Sequence, residues 1–352
     1  MIYIEGVFLL LTHPHGDYPL YGASGLVKHI DFYHHDKPYL GIVKDGAGVG
    51  RVNIYPAYSS LVGTMQYIFP KKDCLLNFIK YFLVKLDLSH CVSGATIPHI
   101  YFKDYGKKMI PVPTLEIQEK IVSELDKINE LIRLKKEQLK DFDNLAQSIF
   151  YEMFGDPVEN EMGWEVKKLG EVCCVGTGST PNRKNKDFYE NGIYPWVKST
   201  EVCNLPIYSV EEYITQEALD KTNCTLYPQN TILMAMYGQG KTRGQIGLLK
   251  IEACTNQAVA AIVPTKEVVD ENYICLHLML MYEHIRNMAR GGNQANLNLS
   301  IVKSIQIILP PLPLQHLFAH RIEQIEHQKT EVQKAIADLE TLLASRMQYW
   351  FE

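Results

Sequence analysis

The chain has 352 residues, 46% hydrophobic and 21% charged, a make-up that fits a soluble globular protein with room for two or three domains. No apolar run reaches the roughly 18 residues of a membrane span, the run at 7–11 has no basic residue ahead of it as a signal peptide would, and the eight cysteines form no Cys-x-x-Cys pair, which argues against a zinc ribbon or disulfide framework and for a reducing cytoplasm. The formal charge of −5 counts against a chain that grips DNA unaided, because phosphate contacts supply most non-specific affinity.

In chain order, residues 1–112 mix short β-like runs with Gly, Asn and Pro turns. Residues 113–154 then read as one long helix, in which Ile121, Leu125, Ile128, Ile132, Lys135, Leu139, Phe142, Ala146, Ile149 and Met153 alternate steps of four and three. A polar stretch, 155–163, connects to a second globular segment that ends at residue 309 and holds β-like runs such as 231–236 and 258–263. Residues 310–352 read as a second long helix, with Phe318, Ile322, Ile325, Lys329, Val332, Ile336, Leu339, Leu343, Arg346 and Trp350 at the same spacing. The expected fold class is mixed α/β (α+β), with two globular domains (1–112 and 155–309) alternating with two long helices (113–154 and 310–352). An apolar period of 3.5 residues specifies a coiled-coil seam, and each helix of about 40 residues would be roughly 60 Å long. Pro113 and the Pro310-Pro311 pair mark the helix starts. The two seams are natural partners for each other. Lys135, Lys329 and Arg346 interrupt them and leave open the alternative that each helix packs on its own globular half.

The second half repeats the first. P-T-L-E-I-Q at 113–118 and P-P-L-P-L-Q at 310–315 are offset by 197 residues (Gln118 to Gln315), and that offset holds without a gap from 94–154 to 291–351. It places Gly94 on Gly291, Ile100 on Leu297 and Phe154 on Phe351. Upstream, Gly46-Ala-Gly-Val-Gly50 matches Gly240-Lys-Thr-Arg-Gly244 at an offset of 194. The acidity is not spread evenly. Residues 114–154 hold nine acids and six Lys or Arg, and 314–352 hold six and four, so the remainder carries 25 of each and is neutral.

Three constellations suggest chemistry and none is complete. Thr12-His13-Pro14-His15-Gly16-Asp17 resembles the His-x-His-x-Asp-His metal motif of metallo-β-lactamases, but Tyr18 stands where the last His belongs, so a surface turn is the better reading and no metal is expected. Gly240-Lys241-Thr242 resembles the tail of a phosphate loop, but Ala235 replaces the first glycine, and Gly244 and Gly247 interrupt the helix that should follow. Val175-Gly-Thr-Gly178 is a weak echo of an adenosyl-cofactor loop, without the Asn-Pro-Pro-aromatic or Asp-Pro-Pro-Tyr motif of an adenine methyltransferase. There is no nuclease carboxylate cluster and no serine-nucleophile elbow.

What remains are polar loops flanked by glycine. Gln239, Lys241, Thr242, Arg243 and Gln245 form one, and Arg290, Asn293, Gln294, Asn296 and Asn298 form another. Arg183, Lys184 and Lys186, after Gly178-Ser-Thr-Pro181, form a third, with Lys198 downstream. In the first half Lys44, Arg51 and Asn53 flank the matching Gly46–Gly50 loop. Arg, Lys, Asn and Gln are the side chains that read base edges by paired hydrogen bonds. Any single one of these residues is better read as an ordinary solvated loop residue or cap, whereas the loops as a group, at matching repeat positions, favour DNA contact.

Gly163-Trp164-Glu-Val-Lys-Lys-Leu169-Gly170, Gly178-Ser-Thr-Pro181, Tyr194-Pro195-Trp196-Val197-Lys198-Ser199, Thr255-Asn256-Gln257-Ala258, Gly291-Gly292-Asn293-Gln294-Ala-Asn296-Leu-Asn298 and Leu309-Pro310-Pro311-Leu312-Pro313-Leu314-Gln315 resemble successive blocks of a type I restriction–modification specificity subunit. The first half carries Tyr18-Pro-Leu-Tyr-Gly-Ala-Ser-Gly25, Ser93-Gly94-Ala-Thr96-Ile97-Pro98-His99 and Pro111-Val-Pro113-Thr-Leu115-Glu-Ile-Gln118. Each block is loose, but their order and duplication are specific, and together they cover nearly the whole chain. The resemblance implies two target-recognition domains, each reading one half of a split site in double-stranded DNA. It implies that the two helices pack antiparallel, set the spacer and dock two modification subunits, with restriction subunits as further partners. The chain itself would hold no cofactor, since S-adenosylmethionine would sit in the modification subunits, whose positive surface would also resolve the charge problem. One departure stands out: Tyr194-Pro195 follows a long opening from Trp164, whereas Tyr18-Pro19 has 17 residues before it and no Trp…Leu-Gly opening. The first recognition domain is therefore expected to be shortened at its N-terminus or to start differently. The competing readings are a coiled-coil scaffold that reads no DNA, and a hydrolase built on His13, His15 and Asp17.

Overall fold

A computed structural model describes residues 14–70, 73–94, 96–238, 240–289 and 296–352. The chain forms two units, Met1–Glu137 with Val332–Glu352, and Gln138–Glu331.

The first unit contains β1 (Tyr18–Gly22), β2 (Gly25–Ile30), β3 (Tyr39–Val43), β4 (Val52–Tyr55), β5 (Ser60–Leu61), β6 (Met65–Ile68), α1 (Leu76–Lys85), α2 (Phe102–Tyr105) and the start of α3 (Leu115–Phe154). The strands make two sheets. In one, β1 lies between antiparallel β2 and parallel β5; in the other, β3 lies between β4 and β6, all antiparallel. All five residues of β3 (Y-L-G-I-V) are buried, as befits a central strand covered on both faces. Phe78, Ile79 and Leu83 of α1 pack on Leu40, Ile42 and Ile68, sharing a core with Ile121 and Leu125 of α3.

The second unit continues α3 and adds β7 (Glu165–Lys168), α4 (Leu169–Val172), β8 (Cys173–Thr177), β9 (Tyr194–Val197), β10 (Pro206–Ile207), β11 (Tyr213–Ile214), α5 (Gln216–Lys221), β12 (Ile232–Ala235), β13 (Ile246–Leu249), β14 (Cys254–Thr255), β15 (Val259–Pro264), α6 (Glu271–Leu280), α7 (Tyr282–Asn287), α8 (Leu299–Ser304), β16 (Gln306–Leu309) and the first part of α9 (Leu312–Phe351). Its sheets contain those of the first unit. β9 lies between antiparallel β11 and parallel β14, as β1 does between β2 and β5. β12 lies between antiparallel β13 and β15, as β3 does between β4 and β6. The second unit then adds β10 and β8 at the sheet edges and a separate β7–β16 pair.

The repeated glutamine explains why 113–118 and 310–315 match. Gln118 and Gln315 are fully buried. The Gln118 amide accepts from the Leu75 N–H (2.9 Å) and donates to the carbonyls of Asp73 (2.8 Å) and Pro113 (2.9 Å). The Gln315 amide accepts from the Asp270 N–H (3.0 Å) and donates to the Pro310 carbonyl (2.8 Å). Leu75 and Asp270 are the residues that open α1 and α6. One side chain thus ties the start of each long helix to the start of the helix over each sheet, satisfying backbone groups that burial would otherwise leave unpaired.

The long helices run antiparallel within each unit. In the first, Glu124 of α3 pairs with Arg346 of α9, and Lys136 with Glu340 at 2.8 Å, so the contacts move down one helix as they move up the other. In the second, Asp143 pairs with Lys329 at 2.9 Å, while Phe150 and Phe154 pack on Phe318. Lys329 and Arg346, two of the three apparent breaks in the seam, therefore meet carboxylates across it. Burial opposes the Lys329 charge, but hydrogen bonds to Glu326 and Asp143 outweigh it and leave its pKa raised. The Glu124 carboxylate is held below its ordinary range by Arg346 and Trp350. The two readings of the helices prove compatible. Ile128, Ile132, Val332 and Ile336 are buried mid-helix, and Leu139 and Leu339 are half-buried there. Ile121, Leu125 and Leu343 join the core of the first unit, and Phe142, Ile322 and Ile325 that of the second.

Candidate nucleic-acid interface

Two hairpin turns carry about half of the polar candidates among the described residues. The β3–β4 turn has Gly46, Gly48 and Gly50 at φ +85°, +85° and +87°. The β12–β13 turn has Gly238, Gly240 and Gly244 at +147°, +62° and +86°. Only glycine adopts this left-handed region at no steric cost, which accounts for the spacing seen in both repeats. A second segment lies against each turn. In the first unit the Gly46 N–H donates to the Pro98 carbonyl (2.8 Å) and the Ile100 N–H to the Lys44 carbonyl (2.9 Å). In the second the Leu297 N–H donates to the Met236 carbonyl (3.1 Å). Ile100 and Leu297 are equivalent in the repeat, so in each half the fold brings the same downstream segment back against the glycine turn.

The individual candidates are placed as follows. In the first unit Lys44 forms an ion pair with Asp45 (2.7 Å). Arg51 is exposed, but its guanidinium folds back on its own turn, donating to the carbonyls of Gly48 and Ala47 (3.2 Å each). Asn53 projects from β4, exposed. In the second unit Lys241 is exposed, Thr242, Arg243 and Gln245 are half-buried, and all four sit in the β12–β13 turn. Asn296 is half-buried beside that turn. Asn298 is a helix cap: its side-chain oxygen accepts from the Ile301 N–H (2.9 Å) and opens α8. Gln239, Arg290, Asn293 and Gln294 lie outside the described residues, as does His13. Among the described residues no three His, Cys, Asp or Glu side chains converge as metal ligands.

Arg183 and Lys198 prove to belong to one network. The Arg183 guanidinium stacks on Tyr189 (4.7 Å) and Trp196 (4.8 Å) and pairs with Glu212. Lys198 pairs with Glu211 (2.7 Å) and with the same Glu212 (3.0 Å). Hydrogen bonds from Arg183, and then from Lys198, hold the Glu212 carboxylate below its ordinary range, while Glu211 and Glu212 push Lys198 up to about 12. Around this network the family-like blocks are stitched together. Trp196 Nε1 donates to the Ser179 carbonyl (3.1 Å), Thr180 Oγ1 to Gln257 (2.5 Å), and the Asn256 N–H to the Val197 carbonyl (3.0 Å). Arg183 and Lys198 are thus engaged with carboxylates, whereas Lys184 is exposed beside them.

Two residues at the β12–β13 turn escaped the sequence reading. Arg286 of α7 donates to the carbonyls of Arg243 (2.9 Å) and Gly240 (2.8 Å) and to the Tyr282 hydroxyl (2.8 Å), and Tyr282 donates to the Lys241 carbonyl (2.5 Å). They stand more than forty residues from the turn they hold, and no spacing rule links them to it.

Comparison with known proteins places this architecture. The family model for the type I restriction modification DNA specificity domain matches residues 11–141 and again 161–341. Among curated proteins, the MjaIX specificity subunit of Methanocaldococcus jannaschii is 23% identical over 78% of this chain and 68% of its own length. The EcoR124I/EcoR124II specificity subunit of Escherichia coli is 26% identical over 64% and 57%. The chain thus spans between half and about two thirds of the length of these two relatives. Among solved structures, the type I restriction–modification S subunit from M. genitalium superposes with a TM-score of 0.59 at 14% identity, covering 100% of this chain and 94% of that one. A chain from a structural study of type I R-M complex assembly and conformational transition superposes at 0.58 and 16% identity, with 95% and 91% covered. At such identities the likeness establishes the fold, and the two family-model matches establish the kinship: the chain belongs to the type I restriction modification DNA specificity domain family, which it carries in two copies.

Proposed function

We propose that this chain reads DNA sequence for a type I restriction–modification enzyme and performs no chemistry of its own. The observation that carries the reading is that one glycine hairpin, with the same second segment against it, occurs in each unit, while the side chains on it differ. Lys44, Arg51 and Asn53 mark one turn; Lys241, Thr242, Arg243 and Gln245 mark the other. A repeated frame with unlike polar tips suits a bipartite site with two dissimilar half-sites. The paired helices set the spacer and dock two modification subunits. Those subunits hold S-adenosylmethionine and add the positive surface that a chain of charge −5 lacks, and restriction subunits join when the complex cleaves. Among the described residues no helix is long and apolar enough to cross a membrane, and the proposed place of action is the cytoplasm.

The test is co-expression with the modification subunits, followed by methylation mapping on genomic DNA. A split, asymmetric methylated site that vanishes when this chain is omitted is the expected result. A stable complex that methylates the same sites without the chain would refute the reading, and failure to bind modification subunits at all would favour a scaffold. Once the site is mapped, Arg243→Ala and Asn296→Ala should each weaken specific binding by about 1–3 kcal/mol if they touch base edges.

A further inference from the structure

The two DNA-reading turns are held in shape by arginines, and in the second unit the arginine comes from outside the turn. We propose that Arg286, supported by Tyr282, is a positioning residue for sequence recognition: it fixes the Gly240–Gly244 turn in its reading conformation without touching DNA itself. The inference rests on the DNA-reading role proposed above and assigns a residue to it.

Four observations carry it. First, the Arg286 guanidinium and the Tyr282 hydroxyl together satisfy three carbonyls of one short turn, those of Gly240, Lys241 and Arg243. A turn this rich in glycine has high conformational freedom, and fixing three of its carbonyls removes much of it. Second, the clamp stands on firm ground. Arg286 and Tyr282 are one helical turn apart on α7, the guanidinium lies over the Tyr282 ring (5.1 Å), and Ile285 between them is fully buried in the core of the second unit. Third, the turn is shaped to receive it. A Cβ at Gly244 would come within 3.0 Å of Arg286 Cγ, so glycine there permits close approach as well as the φ of +86°. Fourth, the first unit solves the same problem differently. There Arg51, within the turn, donates to Ala47 and Gly48, and a Cβ at Gly48 would collide with its guanidinium. The same chemistry arises at non-equivalent positions, which marks it as a requirement of the turn rather than a relic of the duplication. A reading loop held rigid before it meets DNA loses less entropy on binding and tolerates wrong bases less well.

The geometry makes a prediction that a phosphate contact would not. Lysine keeps the charge of arginine but cannot reproduce a planar donor to three acceptors. The experiment compares the full chain, assembled with its modification subunits, with assemblies carrying Arg286→Ala, Arg286→Lys and Tyr282→Phe. The probes are duplexes with the mapped site and duplexes with the second half-site scrambled, at several salt concentrations. The expected result is a fall of roughly ten-fold in the ratio of specific to scrambled binding for both Arg286 variants, a smaller fall for Tyr282→Phe, and unchanged affinity and salt slope on scrambled DNA. Wild-type discrimination in all three variants would overturn the inference. So would a salt slope shallower by about one in Arg286→Ala that Arg286→Lys restores, because Arg286 would then be a phosphate ligand. Should the Arg286 variants fail to fold, Tyr282→Phe, which loses one hydroxyl, decides the matter alone. A wild-type assembly with no preference for the mapped site would instead remove the DNA-reading role itself, and is distinguishable because no variant is needed to see it.

Discussion

The two units solve one folding problem with different amounts of material. Both place a three-stranded sheet with one parallel neighbour beside an antiparallel sheet, both cover the latter with a ten-residue helix, and both hook that helix to a long one through a buried glutamine. The second unit adds β7, β8, β10 and β16, and its core runs unbroken from Phe150 of α3 through Tyr273 to Ile308. Among the described residues the first unit has no counterpart of these strands, and the stretch ahead of Pro14 that would be compared with β7 and β8 lies outside them. The shared part is what the turns need; the added part is two edge strands and a separate two-stranded pair. A recognition domain of this kind can therefore vary in its borders while keeping the frame that presents the turn.

The largest expected effect tests whether the units are separate in energy as well as in shape. Phe318, fully buried among Phe150, Phe154 and Tyr273, occupies the repeat position of Ile121. Phe318→Ala should cost about 3–5 kcal/mol, counting both lost burial and the cavity left behind. Amide exchange should show the loss in β12, β15 and α6 and leave β3 and α1 unaffected; equal loss in both units would merge them into one cooperative body. Acid should separate them next. His277, seven residues beyond its hook, is fully buried, whereas the corresponding position in the first unit is Phe82. Burial lowers the His277 pKa from 6.5 to about 3, so the folded unit keeps the ring neutral while an unfolded chain would protonate it. Its contribution is therefore complete above pH 6.5 and drains away as pH falls toward 3, on the order of 2–4 kcal/mol across that window. Protease resistance measured from pH 7 down to pH 5 should fall in the second unit first. His277→Gln, which keeps an acceptor for the Ile308 N–H, should flatten that dependence.

The glutamine hooks come third. Gln118→Ala and Gln315→Ala should each cost about 1–3 kcal/mol by stranding buried backbone groups. Similar costs in the two variants would make the hook a true repeat element, and a cost confined to one would show that its partner is redundant. The smallest effect concerns the network of the second unit. Glu212→Gln should release Arg183 and Lys198 and steepen the salt dependence of non-specific DNA binding by up to about 2, at a stability cost below roughly 1 kcal/mol. An unchanged salt slope would mean that neither cation reaches phosphate even when freed.

Local pattern was enough to read the parts of the molecule that repeat. The 4-3 spacing of Ile121 to Met153 and Phe318 to Trp350 located helices whose bounds, Leu115–Phe154 and Leu312–Phe351, begin two residues after Pro113 and Pro310. The glycine offsets located both turns, because glycine is the residue that takes a positive φ without steric cost and each turn uses three. What could not be read depends on pairs distant in sequence. Arg183 stood as a DNA-contact candidate in an open polar loop, and Glu212, twenty-nine residues on, proved to be its partner. Lys329 and Arg346 looked like flaws in a seam until carboxylates appeared opposite them. Asn298 looked like a base reader and opens a helix. In each case the residue type was informative and its partner was not, since nothing local records which side chain the fold delivers.

One feature of the first unit bears on how the protein is made. Its core is assembled from two stretches far apart in the chain: Leu343, Met347 and Phe351 of α9 pack with Phe78 and Leu125, and Glu352 pairs with Lys85 of α1 at 2.7 Å. The second unit draws all its residues from one continuous stretch, 138–331. During synthesis, at about 5–20 residues per second, the unit encoded later is therefore the first to have every residue it needs. The unit encoded first waits with an open core until residues 332–352 arrive. A ribosome that stalls or a message cut short within that stretch releases a chain with one finished reader and one unfinished, and the exposed apolar face around Phe78 and Leu125 would mark it for chaperones and proteases.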